Sequence, residues 1–171
     1  MTSLSVLPLE KTRILIDLLK RNKQTIATAE SCTGGLLAAT ITSISGASEV
    51  FQHGEVTYSN YAKEMFLGVR RALLDKYTAV SWQVAEEMAI GIKEIEKADF
   101  GIGITGYAEI DKNAPEDQRG LVYICIATKN ARFVLKKKYE NERNQNRLEI
   151  VNDVINGLLN LIQKEEAQNE N

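Results

Sequence analysis

The spacing of apolar positions changes several times along this chain, and the changes mark out alternating helices and strands. From Leu9 to Arg21, Ile14, Ile16, Leu18 and Leu19 recur at helical spacing, which predicts an amphipathic helix. Thr25 to Ala29 is short and flanked by polar residues, the pattern of a strand. Gly35 to Ile44 (GLLAATITSI) predicts a mostly buried helix. Val56 to Ser59 closes a second strand, and Asn60 is placed to cap a helix in YAKEMFLGV. Trp82 to Lys97 predicts a helix capped by Ser81 and carrying Glu86, Glu87, Lys93 and Glu94. Phe100 to Thr105 (FGIGIT) predicts a buried strand. Leu121 to Thr128 and Ala131 to Tyr139 predict two more, joined by a turn at Lys129-Asn130. Arg143 to Gln163 predicts a last helix, followed by the polar run KEEAQNEN.

No internal repeat or Pro/Gly/Ser-rich linker interrupts this alternation. The expectation is a single α/β domain over residues 1–164, with a polar frayed tail at 165–171. Its central sheet should be mostly parallel or mixed, with helices packed on both faces.

Composition narrows the function classes. The 171 residues suffice for one domain with a sizeable core, and 44% hydrophobic with 26% charged residues is the balance of a globular chain. A net charge of −2 provides no basic field for nucleic acid or an anionic membrane. No apolar run approaches the roughly 20 residues of a membrane span, and MTSLSVLPLEK lacks the pattern of a signal peptide. Cys32 and Cys125 fit a reducing cytoplasm better than a disulfide framework. With His53 as the single histidine and no CxxC pair, no metal site is expected, and no motif calls for a cofactor.

In an α/β sheet, ligands collect beyond the carboxyl ends of the strands. Two corners fall there, Glu30 to Gly35 and Thr105 to Ala108. In the first, TIATAESCTGG ends a strand with Ser31, Cys32 and Thr33 beside Gly34 and Gly35. A helix starting near Thr33 or Gly34 leaves backbone N–H groups free to hold an anion or the oxygen of an attacked carbonyl. The glycines allow a close backbone approach. Ser31 is then a candidate nucleophile, and Cys32 a rival; ordinary helix capping explains the same residues without chemistry. The pair Gly34-Gly35 does not belong to a GxGxxG, and no GxxxxGK[ST] occurs. A serine nucleophile needs a base. His53 is one choice. Lys63 is the other: it lies in the first turn of a predicted helix, whose positive end disfavours an added charge, and burial would lower its pKa further. Tyr58 is placed to relay or orient.

The segment TIATAESCTGGLLAATITSISGASEVFQHGEVTYSNYAKEMFLGV resembles the CinA family, the C-terminal domain of the competence/damage-inducible protein and its free-standing relatives. The likeness rests on the AESCTGG corner, the SGAS loop and the YSN-x-x-K stretch ending in LGV, in that order. It continues through VSWQVAEEMAIGIKE, ADFGIGITG, RGLVYICIAT and NERNQNR, covering nearly the whole chain. The resemblance implies a nicotinamide-nucleotide amidase, which hydrolyses nicotinamide mononucleotide to nicotinate mononucleotide and ammonia. It implies Ser31 as nucleophile with Tyr58 and Lys63 as partners, and Glu30, Thr33, Gly34 and Gly35 shaping the corner. Thr105 and Gly106 would line the opposite wall, and Arg143 and Arg147, one helical turn apart, would meet a phosphate. It also implies a homo-oligomer acting on a small molecule.

One stretch departs from the family pattern. A glycine-rich Gly-Pro-Gly loop is expected after the Thr105-Gly106 pair; here the chain runs TGYAEIDKNAPEDQRG. Four acids (Glu109, Asp111, Glu116, Asp117) face two bases (Lys112, Arg119) across Tyr107 to Arg119. Acidic groups repel phosphate where glycine N–H groups would bind it. Three readings stay open: a working nucleotide amidase, an amidohydrolase with another substrate, and a degenerate paralogue that binds without turnover.

Overall fold

A computed structural model describes residues 7–109 and 115–169. The elements run α1 (Leu9–Asn22), β1 (Ile26–Glu30), α2 (Leu36–Thr42), a 3-10 turn (Ala47–Glu49), β2 (Phe51–Val56), α3 (Asn60–Leu67), α4 (Arg71–Tyr77), α5 (Trp82–Glu96), β3 (Phe100–Gly106), β4 (Leu121–Ala127), β5 (Arg132–Lys138) and α6 (Arg143–Asn169). The five strands form one sheet in the order β2-β1-β3-β4-β5. β1 pairs parallel with β2 and β3, whereas β3–β4 and β4–β5 are antiparallel, so the sheet is mixed. Helices cover both faces of this single domain.

The two faces differ in residue size. Along β1 and β3, Ile26, Phe100, Ile102 and Ile104 point to the side covered by α1, α2 and α6, where Leu15, Leu37, Ile41, Ile150, Val154 and Leu158 complete the larger core. The alternate positions are small: Ala27, Ala29, Gly101, Gly103, and on β4 Cys125 and Ala127. Small residues let α5 lie close against the sheet through Ala85, Met88 and Ala89. A Cβ at Gly103 would run into the Ala85 carbonyl oxygen, and one at Gly101 into that of Ala89. The spacing GxGxxG does occur at Gly101 to Gly106, but inside β3, where its first two glycines make room for α5 instead of a phosphate. Gly103→Ala is accordingly expected to destabilise the fold by about 3 kcal/mol, the cost of overpacking a backbone contact; a urea melt would read it as a lowered midpoint at unchanged slope.

Several boundaries differ from the sequence expectation. β2 ends at Val56, the first residue of the Val56–Ser59 span expected to close it, and His53 is its third residue. Ser59, not Asn60, caps α3: its backbone is extended and its hydroxyl accepts the Ala62 N–H at 3.0 Å. α4 and the 3-10 turn have no counterpart in the apolar pattern, since seven and three residues are too short to show a period and neither has a side-chain cap. α6 runs past Gln163 to Asn169, so the described part of the expected frayed tail is helical. Gln24 donates to Glu165 at 3.2 Å there, and Arg21 pairs with Glu166 at 3.8 Å.

Candidate active site

The parallel pairing of β1 and β2 sets Glu30 opposite Val56, and the Thr57 N–H donates to the Glu30 carbonyl at 2.8 Å. Ser31 and Thr57 therefore leave the sheet side by side at its carboxyl edge. β2 lies on one side of β1 and β3 on the other, so chain connections diverge here, the place where an open sheet forms a crevice.

The turn after β1 is held from three sides. The Ser31 N–H donates to the Ile104 carbonyl at 3.0 Å, and the Gly34 N–H returns to the Ser31 carbonyl at 3.0 Å. Gly34 and Gly35 take φ of 58° and 87°, the left-handed region that glycine enters without strain. The buried Glu30 carboxylate accepts the N–H groups of Leu37 and Ala38 at 3.0 and 2.8 Å. It thereby fills the start of α2, which begins at Leu36 and not near Thr33 or Gly34. Arg147 clamps the Thr33 carbonyl through Nε at 3.1 Å and Nη2 at 2.8 Å. Among the described residues, the Cys32 and Thr33 N–H groups have no backbone acceptor.

Lys63 projects from α3 beneath this turn. It is 1% exposed, and its Nζ lies 3.1 Å from Ser31 Oγ and 2.7 Å from the Thr57 carbonyl oxygen. Burial lowers its pKa from the ordinary 10.5 to about 8. The donor set suits a neutral amine. One N–H goes to the Thr57 carbonyl, which leaves the nitrogen lone pair free to accept the Ser31 hydroxyl proton. Cys32 sits next to this pair, but burial pushes its thiol up to about 12, away from a reactive thiolate.

Ser31, Cys32, Tyr58 and Lys63 form one wall of a cleft of about 600 Å³. Thr105 to Glu109 and Thr78 to Val80 form the other walls, with Arg143 at the lip. Tyr58 is 62% exposed and its hydroxyl accepts from Arg143 Nη2 at 2.8 Å, so it contacts the arginine and not the Ser31–Lys63 pair. Thr105 donates its hydroxyl to the Ala79 carbonyl at 2.7 Å, and a Cβ at Gly106 would meet the Leu121 carbonyl oxygen at 2.5 Å. Arg143 and Arg147 share a helix but part company: Arg143 reaches the cleft, while Arg147 is committed to Thr33 and to Asn144 at 3.0 Å. Glu30, Thr33, Gly34 and Gly35 shape the turn without lining the cleft. His53 lies elsewhere, with Nε2 3.0 Å from Glu55 and Nδ1 3.5 Å from Glu96.

Two parts of the cleft have no sequence signal. The Thr78–Val80 wall follows α4, itself invisible in the pattern. Thr78 takes φ 64°, a left-handed conformation that costs a β-branched residue energy and that no motif announces. Nor did the sequence show that Glu109 reaches Arg143, at 2.9 Å. Asp111 and Lys112 of the acidic loop lie outside the described residues. Among the described residues no group of three or more His, Cys, Asp or Glu could hold a metal, and no helix is long and apolar enough to cross a membrane.

Comparison with known proteins finds similarity along most of this chain. The model of the CinA C-terminal domain matches residues 9–162. A relative from Thermoanaerobacter sp. (strain X514) is 46% identical over 142 residues, 83% of this chain and 34% of the relative. A CinA-like protein of Prochlorococcus marinus (strain MIT 9215) is 47% identical over 148 residues, 86% of this chain and 34% of that protein. The chain thus spans about a third of the length of the curated relatives it matches. Among solved structures, the competence/damage inducible protein CihA of Agrobacterium tumefaciens superposes with a TM-score of 0.85 at 35% identity, covering 90% of this chain and 94% of that one.

Proposed function

This chain belongs to the CinA C-terminal domain family, and from that premise we propose that it is an amidohydrolase of the nicotinamide-nucleotide amidase type. The reading is that it hydrolyses the carboxamide of nicotinamide mononucleotide to nicotinate mononucleotide and ammonia. The observation that carries it is the 3.1 Å contact between Ser31 Oγ and the Nζ of the buried Lys63.

The chemistry follows from that contact. Neutral Lys63 takes the Ser31 hydroxyl proton as Oγ attacks the carboxamide carbon. The carbonyl oxygen gains the negative charge, and the N–H of Cys32, which lines the cleft beside Ser31, is a backbone donor that can hold it. The Lys63 ammonium then returns its proton to the amide nitrogen, the C–N bond breaks, and ammonia leaves an ester on Ser31. Water attacks that ester while Lys63 takes its proton. The C–O bond to Ser31 breaks, the proton restores the serine hydroxyl, and the released acid gives its remaining proton to solvent to become the carboxylate. No metal or redox group enters the balance.

Because only neutral Lys63 can accept the first proton, kcat/KM should climb with pH and reach half its plateau near pH 8, the value to which burial lowers this lysine. A flat profile between pH 6 and pH 10 would remove Lys63 from the mechanism. The reading as a whole is tested by ammonia release from nicotinamide mononucleotide, nicotinamide riboside and free nicotinamide. Release from the nucleotide is the expected result. A thermal shift with the nucleotide and no ammonia from any of the three would favour a paralogue that binds without turnover. The homo-oligomer that goes with this reading has a candidate contact in the exposed Tyr61, Met65 and Phe66 of α3, and light scattering on the purified chain tests it.

A further inference from the structure

Three charged side chains line the cleft among the described residues: Lys63, Glu109 and Arg143. Lys63 is buried and holds its Nζ against Ser31 and the Thr57 carbonyl, so it has no free face for a second anion. Arg143 at the lip is therefore the cleft cation available to a phosphate. Both of its terminal nitrogens are already engaged, Nη1 with Glu109 Oε2 at 2.9 Å and Nη2 with the Tyr58 hydroxyl at 2.8 Å. A guanidinium grips a phosphate through two neighbouring N–H groups, so a phosphate that takes the edge between the two terminal nitrogens of Arg143 competes with the Glu109 carboxylate and gains that edge by displacing it.

Displacement has two consequences. The ion pair is about half exposed on each side, and such pairs are weak, so breaking it is a small obstacle. The larger effect comes afterwards, because the freed carboxylate stays beside the phosphate as a like charge. A ribosylated pyridinium carboxamide without phosphate leaves the ion pair in place; its cationic ring, which the nucleotide shares, meets Tyr58 and Tyr107 in either case.

We propose that Glu109 is a specificity determinant that occupies Arg143 and lowers the cleft's preference for a 5′-phosphorylated pyridinium carboxamide relative to the unphosphorylated riboside. This rests on the amidase reading for the identity of the ligands and goes beyond it in assigning the discrimination to one side chain.

The test compares nicotinamide riboside with nicotinamide mononucleotide in two ways. The ratio of kcat/KM values is measured for the wild type, Glu109→Gln, Arg143→Gln and the double variant. Dissociation constants for the same two compounds are measured by calorimetry in the Ser31→Ala background, where no turnover is needed. Glu109→Gln should move both ratios toward the nucleotide by about three- to tenfold, the range of a partly exposed charge contact. With Arg143→Gln already present, the same change should move them by clearly less, because the arginine is what the carboxylate withholds. Ratios unmoved by Glu109→Gln, moved toward the riboside, or moved equally with and without Arg143 would overturn the proposal. So would an absence of binding by both compounds. Failure of the amidase reading looks different: the wild type releases no ammonia from either compound, while the calorimetric ratios still respond to Glu109→Gln.

Discussion

Ser31→Ala is expected to lower ammonia release by roughly 10³-fold or more while the protein stays folded, because under the proposed mechanism the variant loses the one atom that forms the acyl bond. The surrounding turn does not depend on that hydroxyl. It is held by the Ser31 N–H on Ile104, the Gly34 N–H on the Ser31 carbonyl, and Glu30 and Arg147 on either side. Cys32→Ala is the companion measurement. Its thiol is 5% exposed and pushed up to about 12, so it packs as a small apolar group and its loss should leave most of the activity. An inactive Cys32→Ala beside an active Ser31→Ala would reverse the assignment of the nucleophile. Circular dichroism and a melting curve on each variant separate loss of chemistry from loss of fold.

Lys63→Met should separate activity from stability in opposite directions. Removing the proton acceptor is expected to reduce kcat by about 10²–10⁴-fold, the usual contribution of general base catalysis. His53→Ala, acting on a ring held between Glu55 and Glu96, should leave turnover nearly unchanged. If the histidine variant is inactive and the methionine variant is not, the Ser–Lys pair is the wrong one. Stability moves the other way. Burial depresses the folded-state pKa of Lys63 from 10.5 to about 8, a difference on the order of 3 kcal/mol against the protonated form at neutral pH. Below pH 8 both folded and unfolded chains carry the proton, and the folded state bears the full penalty. Between about pH 8 and 10.5 the unfolded chain holds the proton and the folded chain does not, so stability rises with pH across that window and levels off above it. Methionine fills similar space without the charge but forfeits the contacts to Ser31 and Thr57. The net gain at pH 7 should be about 1–2 kcal/mol, or several degrees in Tm. The gain should shrink between about pH 8 and 10.5 and level off above that. A Tm for Lys63→Met below that of the wild type at pH 7 would show that those two contacts outweigh the buried charge. Tolerance of such a destabilising group is what a site that needs a neutral amine near physiological pH would require.

Much of this arrangement was determined by the sequence alone. The alternation of apolar periods sufficed for the strands and long helices because burial of one face imposes a fixed repeat on each. The corner from Glu30 to Gly35 and the lysine one turn into α3 were legible because serine, glycine and caps have local conformational reasons to stand where they do. Short elements were not. α4 and the Ala47–Glu49 turn carry too few residues for a period, and the Thr78 backbone is imposed by its surroundings against local preference.

Tertiary structure decided the pairings. The parallel register of β1 and β2 brings Ser31 to Lys63, 32 positions away along the chain, and the same packing buries the lysine and so lowers its pKa. It also divided two arginines that sequence spacing treats alike, sending Arg143 to the cleft lip and Arg147 to the Thr33 carbonyl. It turned Glu30 into the cap of α2, and placed Glu109 on Arg143. Local composition carries no record of such contacts, because a hydrogen bond or ion pair depends on which side chains the folded backbone sets within about 3 Å of each other.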